Sequence, residues 1–204
     1  MIASLLARAA TWLAWLLTGA QARWEGCRPE PGQRIYFANH TSHGDFVLVW
    51  SCLPEELRRK TRPVAARDYW ARGALRRYLI REVFAGVLVD RDRETRTEEP
   101  VEVMVRALDE GSSLIVFPEG TRNTGEDLLP FKSGLYHVAR ARPQVELVPV
   151  WIENLNRVMP KGERLPLPLL CSATFGAPTR LAPGEEKAPF LTRLRQAILD
   201  LRKP

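Results

Sequence analysis

Short apolar runs alternate with amphipathic segments along most of the chain. Runs of strand length, bounded by turn or polar residues, lie at 34–38, 86–89, 113–117, 145–152 and 171–175. Between them, apolar side chains recur at helical spacing, most clearly at Val101, Met104, Val105 and Leu108. Strands that alternate with helices are typical of α/β proteins. The pattern therefore predicts a single α/β domain with a mixed, largely parallel sheet flanked by helices.

Further helices are predicted at 46–53, 72–80, 133–141 and 190–201. Pro149 lies within the predicted strand at 145–152, although proline is unusual inside a strand. Because proline has no N–H to donate to a neighbouring strand, it favours an edge position or a bulge for this strand.

The most apolar segment is the first, residues 1–24. Its uncharged run between Arg8 and Arg23 is shorter than the roughly 20 apolar residues of a spanning helix. On a helical wheel, Ser4, Arg8, Thr11 and Thr18 form one polar stripe. This predicts a membrane-associating amphipathic helix over 1–24 and a separate domain over 25–204. A helix packed on the domain core, a cleaved signal peptide and a true span stay open as alternatives.

Composition and charge narrow the class of protein. With 204 residues, 45% hydrophobic and 26% charged, the chain is neither disordered nor a polytopic membrane protein. The net charge of +6 is concentrated in residues 58–96, which contain 12 Arg and Lys residues but only 5 Asp and Glu residues. Such a segment suits nucleic acid, anionic lipid headgroups or a phosphorylated substrate, although a solvated arginine-rich face is an equal alternative. The three scattered cysteines favour a reduced, cytosol-facing chain without a disulfide framework or zinc site.

Polar clusters follow three of the predicted strands, at 39–45, 90–91 and 119–123. In open α/β sheets, ligands bind in the crevice beyond the carboxyl ends of the strands. The three clusters are therefore expected to form one shared site.

The first cluster allows several kinds of chemistry. A metal site would need more ligands than His40 and His43 supply, and Ser42 lacks the G-x-S-x-G context of a serine nucleophile. A third interpretation pairs His40 with Asp45, whose carboxylate would orient the imidazole so that it takes a proton from a hydroxyl. An Asp that caps a helix beside surface histidines remains possible.

The second cluster, Phe117 to Asn123, directly follows an apolar strand. Gly120 permits close backbone approach, while the Thr121 hydroxyl and the Arg122 guanidinium could hold a phosphate. The segment lacks the lysine and spacing of a Walker A loop. Alone, it could equally be a turn with a charged tip.

Together, the N-H-x-x-x-x-D block at 39–45 and the F-P-E-G-T-R block at 117–122 resemble one known family. They are the paired signature of the glycerophospholipid acyltransferases, which include the 1-acylglycerol-3-phosphate (lysophosphatidate) acyltransferases. Weaker similarities are the G-x-x-x-x-R element at 86–91, the V-P-V strand at 148–150 and Lys132.

The resemblance, which spans about residues 35–152, implies roles for individual residues. It makes His40 and Asp45 catalytic, with His40 as the general base. It assigns acceptor binding to Arg91, Glu119, Gly120, Thr121, Arg122 and Lys132. One departure is His43, an extra imidazole two residues from Asp45; the family spacing selects His40.

The resemblance also implies the partners. The acyl donor would be acyl-CoA or acyl-carrier protein, and the acceptor a lysophospholipid at the cytoplasmic face of the inner or plasma membrane. No metal and no cofactor are expected. A different lysolipid acceptor, such as a lyso-aminolipid, is the nearest alternative. A basic nucleic-acid-binding protein without catalysis is a second, although the chain has no recognisable basic–aromatic motif, so no nucleic acid is expected.

Overall fold

A computed structural model describes residues 19–202 except 43, 93, 95, 124, 126 and 154–170. The strands are β1 (Gln21–Trp24), β2 (Arg34–Ala38), β3 (Thr61–Ala66), β4 (Val87–Val89), β5 (Ser113–Val116), β6 (Glu146–Glu153) and β7 (Ser172–Phe175). The α-helices are α1 (Asp45–Cys52), α2 (Glu55–Lys60), α3 (Arg67–Trp70), α4 (Ala74–Tyr78), α5 (Pro100–Asp109), α6 (Gly134–Ala141) and α7 (Lys187–Leu199). A π-helical turn, Leu79–Val83, continues α4.

The seven strands of the described residues form one sheet, in the order β1-β7-β6-β2-β5-β3-β4. Neighbouring strands are parallel except β6 and β7, which are antiparallel. The predicted α/β domain with a mixed, largely parallel sheet is therefore confirmed. Strands β2 and β5 lie inside the sheet and are buried along their whole length, as parallel strands covered on both faces should be.

Helices pack on both faces of the sheet and form two apolar layers. On one face, Tyr36 of β2 packs in a cluster with α1 and the π-turn, including Trp50 and Ile80. On the other face, Phe37 packs with α5, α6 and α7, including Leu194. Adjacent residues of β2 enter opposite layers because successive side chains of a strand point to opposite faces.

The N-terminal prediction is partly corrected. It extended a helix to residue 24, whereas Gln21–Trp24 form β1 at the edge of the sheet. The indole of Trp24 stacks on Phe175 with ring centroids 4.1 Å apart, which holds this segment on β7. Residues 1–18, the rest of the predicted membrane helix, lie outside the described residues. Within the described part of the chain, no helix combines the length and apolar character needed to cross a membrane.

Pro149 lies in β6, between β2 and β7, so the edge position is wrong. The pairing changes register beside it, since Val150 pairs with Phe175 whereas Leu147 pairs with Thr179. From Leu147 to Val150 the strand β6 advances by three residues, whereas the opposite segment advances by four, from Phe175 to Thr179. The opposite segment therefore has one extra residue, which is a β-bulge. The extra residue lies on the opposite segment, between Gly176 and Thr179, while Pro149 itself continues β6.

The predicted basic helix at 72–80 is shorter than expected. It consists of α4, Ala74–Tyr78, and then becomes the π-turn that buries Ile80 and Val83. Strand β3 and the short helices α2 and α3 were not among the predicted elements. β3 pairs with β5 through its first half and with β4 through its second half.

Candidate active site

His40 follows β2, and its backbone position is fixed in part by the hydrogen bonds of the preceding residue, Asn39. The buried Asn39 side chain donates from Nδ2 to the Ile152 carbonyl at 3.0 Å and accepts the Ile152 N–H on Oδ1 at 2.7 Å. A side-chain amide here continues the hydrogen bonding between β2 and β6 by one more residue. The chain therefore leaves the sheet in a defined direction at His40.

Glu119 holds His40 from the other side. Glu119 is only 2% exposed, and its carboxyl oxygens accept the main-chain N–H of His40 at 2.8 Å and that of Leu129 at 3.0 Å. The Asn123 N–H also donates to the His40 carbonyl, at 2.7 Å. Glu119 was expected to help bind the acceptor phosphate. Both of its carboxyl oxygens are bonded to main-chain N–H groups, and Glu119 lines neither of the two pockets beside His40, so its contacts in this structure are with the backbone.

The predicted pairing of His40 with Asp45 is present. Nδ1 of His40 lies 2.8 Å from Oδ2 of Asp45, which also accepts the N–H groups of Thr41 at 2.6 Å and Ser42 at 2.9 Å. Asp45 is fully buried in the first turn of α1, where the helix dipole favours a negative charge. Because Oδ2 already accepts two main-chain N–H groups, it also acts as the acceptor toward Nδ1, which leaves the lone pair of Nε2 free.

The imidazole of His40 is also fixed in its plane. It stacks on Phe117 with ring centroids 4.2 Å apart and an interplanar angle of 20°. Its side chain is 20% exposed, and Nε2 makes no hydrogen bond to any described residue. His43, the extra imidazole, lies outside the described residues. The geometry assigns the Asp45 carboxylate to His40.

Two adjoining pockets lie on the exposed side of His40. The first, of about 390 Å³, is lined by His40, Phe46, Val64, Ala65, Ala66, Asp68, Tyr69, Trp70, Arg72, Arg91, Phe117, Thr121 and Arg122. The second, of about 690 Å³, shares Asp68, Arg91 and Thr121 with the first and adds Gly120 and Lys132. The structure thus brings the predicted residues from three separate segments to one place, with Asp45 behind His40.

Lys132 reaches this place by crossing over Gly120. The backbone of Gly120 has φ +69°, and a Cβ there would lie 2.7–2.8 Å from the end of the Lys132 side chain. The main-chain N–H of Lys132 also donates to the carbonyl of Pro118 at 2.8 Å. Because Gly120 has no side chain, the end of the Lys132 side chain can pass close to its backbone.

Asp68 is a site residue that the sequence analysis missed. Its carboxylate accepts a hydrogen bond from Nη2 of Arg91 at 2.8 Å, and both side chains are about half exposed. The Arg91 guanidinium holds the pKa of the Asp68 carboxyl below its usual range, mainly through this hydrogen bond. Because the two residues are 23 positions apart, no local spacing in the sequence could have paired them.

The buried cysteines are unsuited to nucleophilic catalysis. Burial, and secondarily the negative charge of Asp45, raise the pKa of the Cys171 thiol to about 11. Burial raises the pKa of Cys52 to about 12. Both thiols therefore stay protonated at neutral pH, and neither is accessible. Among the described residues, no group of three or more His, Cys, Asp or Glu side chains could hold a metal ion.

Two named relatives are similar to this chain over 62% and 72% of its length. The 1-acyl-sn-glycerol-3-phosphate acyltransferase of Escherichia coli (strain K12) is 31% identical over 140 residues, 62% of this chain and 52% of that protein. The 1-acyl-sn-glycerol-3-phosphate acyltransferase alpha of Homo sapiens is 31% identical over 156 residues, 72% of this chain and 51% of that protein. The chain thus spans about half the length of these curated relatives.

A solved structure shares the fold. The crystal structure of the 1-acyl-sn-glycerophosphate (LPA) acyltransferase PlsC from Thermotoga maritima has a TM-score of 0.73, covering 97% of this chain and 80% of that chain. Its sequence is 21% identical, so this likeness concerns the fold. The family model described as Acyltransferase matches residues 25–153, which include His40, Asp45 and the segment around Arg122. Since this match covers well over half of the sequence, the chain belongs to the Acyltransferase family.

Proposed function

We propose that this protein transfers a fatty acyl group from acyl-CoA or acyl-carrier protein to the free hydroxyl of a lysophospholipid. The preferred acceptor is 1-acylglycerol-3-phosphate, and the product is phosphatidic acid. The observation that carries the proposal is the 2.8 Å contact between His40 and a buried Asp45, in the wall of a pocket that Arg91 and Arg122 also line. The names of the relatives support the choice of acceptor.

The reaction uses His40 as a general base. Nε2 takes the proton of the acceptor hydroxyl while the hydroxyl oxygen attacks the thioester carbonyl carbon. A C–O ester bond forms, the C–S bond breaks, and the imidazolium returns its proton to the departing thiolate. Asp45 keeps the proton on Nδ1 and stabilises the imidazolium that forms.

Direct transfer fits this pocket better than an acyl-enzyme. Cys171 is the cysteine whose pKa is affected by Asp45, and its protonated, buried thiol is a poor nucleophile. An imidazole that already has a carboxylate partner needs only a bound hydroxyl. The two substrates therefore react with each other, held in place by the protein.

The acceptor phosphate binds to the cationic and hydroxyl groups at the shared wall of the two pockets. Arg91 and Arg122 supply guanidinium donors, Thr121 a hydroxyl and Lys132 an ammonium. Holding the phosphate there orients the acceptor hydroxyl toward His40, and orientation supplies much of the rate of such a reaction.

Replacing Arg91 or Arg122 with alanine is expected to raise the acceptor KM about tenfold or more and leave the thioester KM nearly unchanged. Each change removes charge-assisted hydrogen bonds to the phosphate but leaves the His40–Asp45 pair intact. Steady-state kinetics with each substrate varied in turn measures this. Arg140, an exposed arginine on α6, serves as the control position. An unchanged acceptor KM in both variants would remove the phosphate-binding role.

Gly120→Ala is expected to raise the acceptor KM because its methyl group displaces the Lys132 ammonium. The positive φ of +69° also costs a non-glycine residue about 1 kcal/mol, which lowers Tm by about 2–4 °C. Gly184→Ala is a matched control, because Gly184 has φ +74° and open space around it. Both variants should lose a similar Tm in a thermal melt, and only Gly120→Ala should alter KM. Equal kinetic effects would contradict the Lys132 argument.

A second acceptor class has one supporting observation. Asp68, Asp90 and Asp92 line the second pocket beside the cationic groups, so an acceptor with an ammonium group, such as a lyso-aminolipid, would also find partners there.

An acyl-transfer assay with acyl-CoA and acyl-carrier protein against a panel of lysolipids, read by mass spectrometry, tests both acceptor classes. Transfer to 1-acylglycerol-3-phosphate supports the first acceptor; transfer to lyso-aminolipids alone supports the second. No transfer in the whole panel, with salt-dependent RNA binding, would favour a nucleic-acid-binding protein.

The acceptor is a membrane lipid and the donors are cytosolic, so the protein acts at the cytoplasmic face of a membrane. Residues 1–18 are predicted to contribute an interfacial helix. Removing them leaves β1 complete and should reduce activity on acceptor in vesicles more than activity on a dispersed short-chain acceptor. Parallel assays of the full-length and shortened proteins measure both activities. The same loss on both forms would assign these residues to the domain core.

A further inference from the structure

The surface around α4 is unusually exposed for a helical segment. Every residue from 71 to 78 is exposed, including Leu75 at 70% and Tyr78 at 37%. These two are the exposed large hydrophobic residues of the described part of the chain. An exposed apolar side chain needs no explanation alone, but two on one short helix mark a candidate contact surface. We call residues 72–81 the α4 surface.

The charged groups of the α4 surface have one sign. Its ionisable groups are the guanidinium groups of Arg72, Arg76, Arg77 and Arg81 and the phenol of Tyr78. The side chains of Arg72, Arg77 and Arg81 make no ion pair or hydrogen bond with any described residue, while Arg76 lies 4.5 Å from the ring centroid of Tyr69. The nearest acidic residue along the chain is Glu82. Cations around an exposed Leu75 are complementary to an anionic surface with an apolar interior.

The α4 surface is continuous with the candidate active site. Arg72 belongs to it and also lines the first pocket, as do Tyr69 and Trp70 of the preceding helix. A partner bound on the α4 surface would therefore lie at the entrance to the pocket that contains His40.

We infer that the α4 surface docks on an anionic lipid bilayer, with Leu75 and Tyr78 at headgroup depth and the arginines on lipid phosphates. The inference deepens the proposed function, because it rests on that function for the identity of the acceptor as a membrane lipid. The arginines and the exposed apolar residues are the independent evidence. A nucleic acid would use the arginines but leave Leu75 without a role. Docking in this way turns the pocket entrance toward the leaflet that holds the acceptor.

Vesicle sedimentation tests the charge part. Full-length protein is mixed with vesicles of phosphatidylcholine containing about a third phosphatidylglycerol, and with phosphatidylcholine alone. Each arginine near an anionic surface contributes roughly fivefold to binding, so Arg77→Gln with Arg81→Gln should lower partition into the anionic vesicles by about 10- to 30-fold. The matched control is Arg140→Gln with Lys187→Gln, two exposed cations on α6 and α7, which should bind as the wild type. Equal binding by the two double variants would overturn the inference.

A fluorescent label tests the apolar part. Leu75→Cys is labelled with an environment-sensitive dye in a Cys27→Ser background; the other cysteines, Cys52 and Cys171, are buried. Anionic vesicles should shift the emission to shorter wavelength. An emission that is already short without vesicles and does not change would mean that residues 1–18 or a second copy of the chain covers Leu75. That result, or no shift at all, contradicts docking through this surface.

Enzyme assays separate this inference from the proposed function. Neither Arg77 nor Arg81 lines either of the two pockets beside His40, so their double variant should keep full activity on a dispersed short-chain acceptor. It should lose about 10-fold on acceptor in anionic vesicles. If it loses equally on both, the α4 surface acts on catalysis rather than docking and the inference fails. If the wild type has no acyl transfer, the proposed function fails, while sedimentation and the label still decide docking.

Discussion

His40→Ala is expected to lower kcat for acyl transfer by about 10²–10⁴-fold, the usual contribution of a positioned general base. The variant removes Nε2, the atom proposed to take the proton of the acceptor hydroxyl. Binding of both substrates should change little, because Arg91, Thr121 and Arg122 remain. The measurement is kcat and both KM values with purified protein, with a thermal melt to show that the domain is folded.

Two other histidines are controls for this prediction. His137→Ala changes an imidazole on α6 that packs against Tyr136, away from both pockets, and should leave kcat unchanged. His43→Ala should retain far more activity than His40→Ala, because the Asp45 carboxylate bonds to His40. If His43→Ala is the inactive variant, the general base has been assigned to the wrong imidazole.

Asp45→Asn is expected to lower kcat by about 10³–10⁴-fold while keeping the fold, by analogy with the orienting carboxylate of serine protease triads. The amide oxygen can still accept the N–H groups of Thr41 and Ser42, but the imidazolium of His40 loses its anionic partner. Acceptor and thioester KM should stay within a few-fold of the wild-type values.

Stability data separate catalysis from folding in this variant. The Oδ1 atom of Asp45 is buried and has no hydrogen-bond partner among the described residues, so an amide N–H₂ there would cost about 1–3 kcal/mol. The melt should therefore shift by several degrees, whereas Asp200→Asn at an exposed carboxylate should not shift it. A kcat within tenfold of the wild type, in folded protein, would show that the Asp45 charge is not needed.

The identity of most elements could be predicted from the sequence because it depends on local pattern. Apolar runs at 34–38 and 113–117 are β2 and β5, and the helical spacing of Val101 to Leu108 is α5. A short, continuous apolar run between turn residues fits a strand buried on both faces, wherever its partners lie in the chain. The family signature, and with it His40 and Asp45, is local for the same reason: each block is a few residues long.

Partners between distant segments could not be predicted in this way. β1 carries two apolar residues among four, Ala22 and Trp24, and it becomes a strand because β7, about 150 residues later, offers a free edge and the ring of Phe175. Pro149 was predicted to lie at an edge or a bulge, and only the pairing of Leu147 with Thr179 shows that the bulge is on the segment opposite it. The energies of such contacts depend on tertiary packing, which no window of sequence contains.

The same division holds within the site. The sequence by itself determined which residues could form a histidine–carboxylate pair and a cationic loop, and the family resemblance selected them; the pair was within reach of a local motif because His40 and Asp45 meet across one turn at the start of α1. Only the tertiary structure decided that Glu119 positions the His40 backbone and that Asp68 pairs with Arg91. The sequence gives the type of a charged residue but does not say whether its side chain is buried or faces a pocket. Its role is set by which donors and charges surround it, and those come from strands brought together only when the sheet forms.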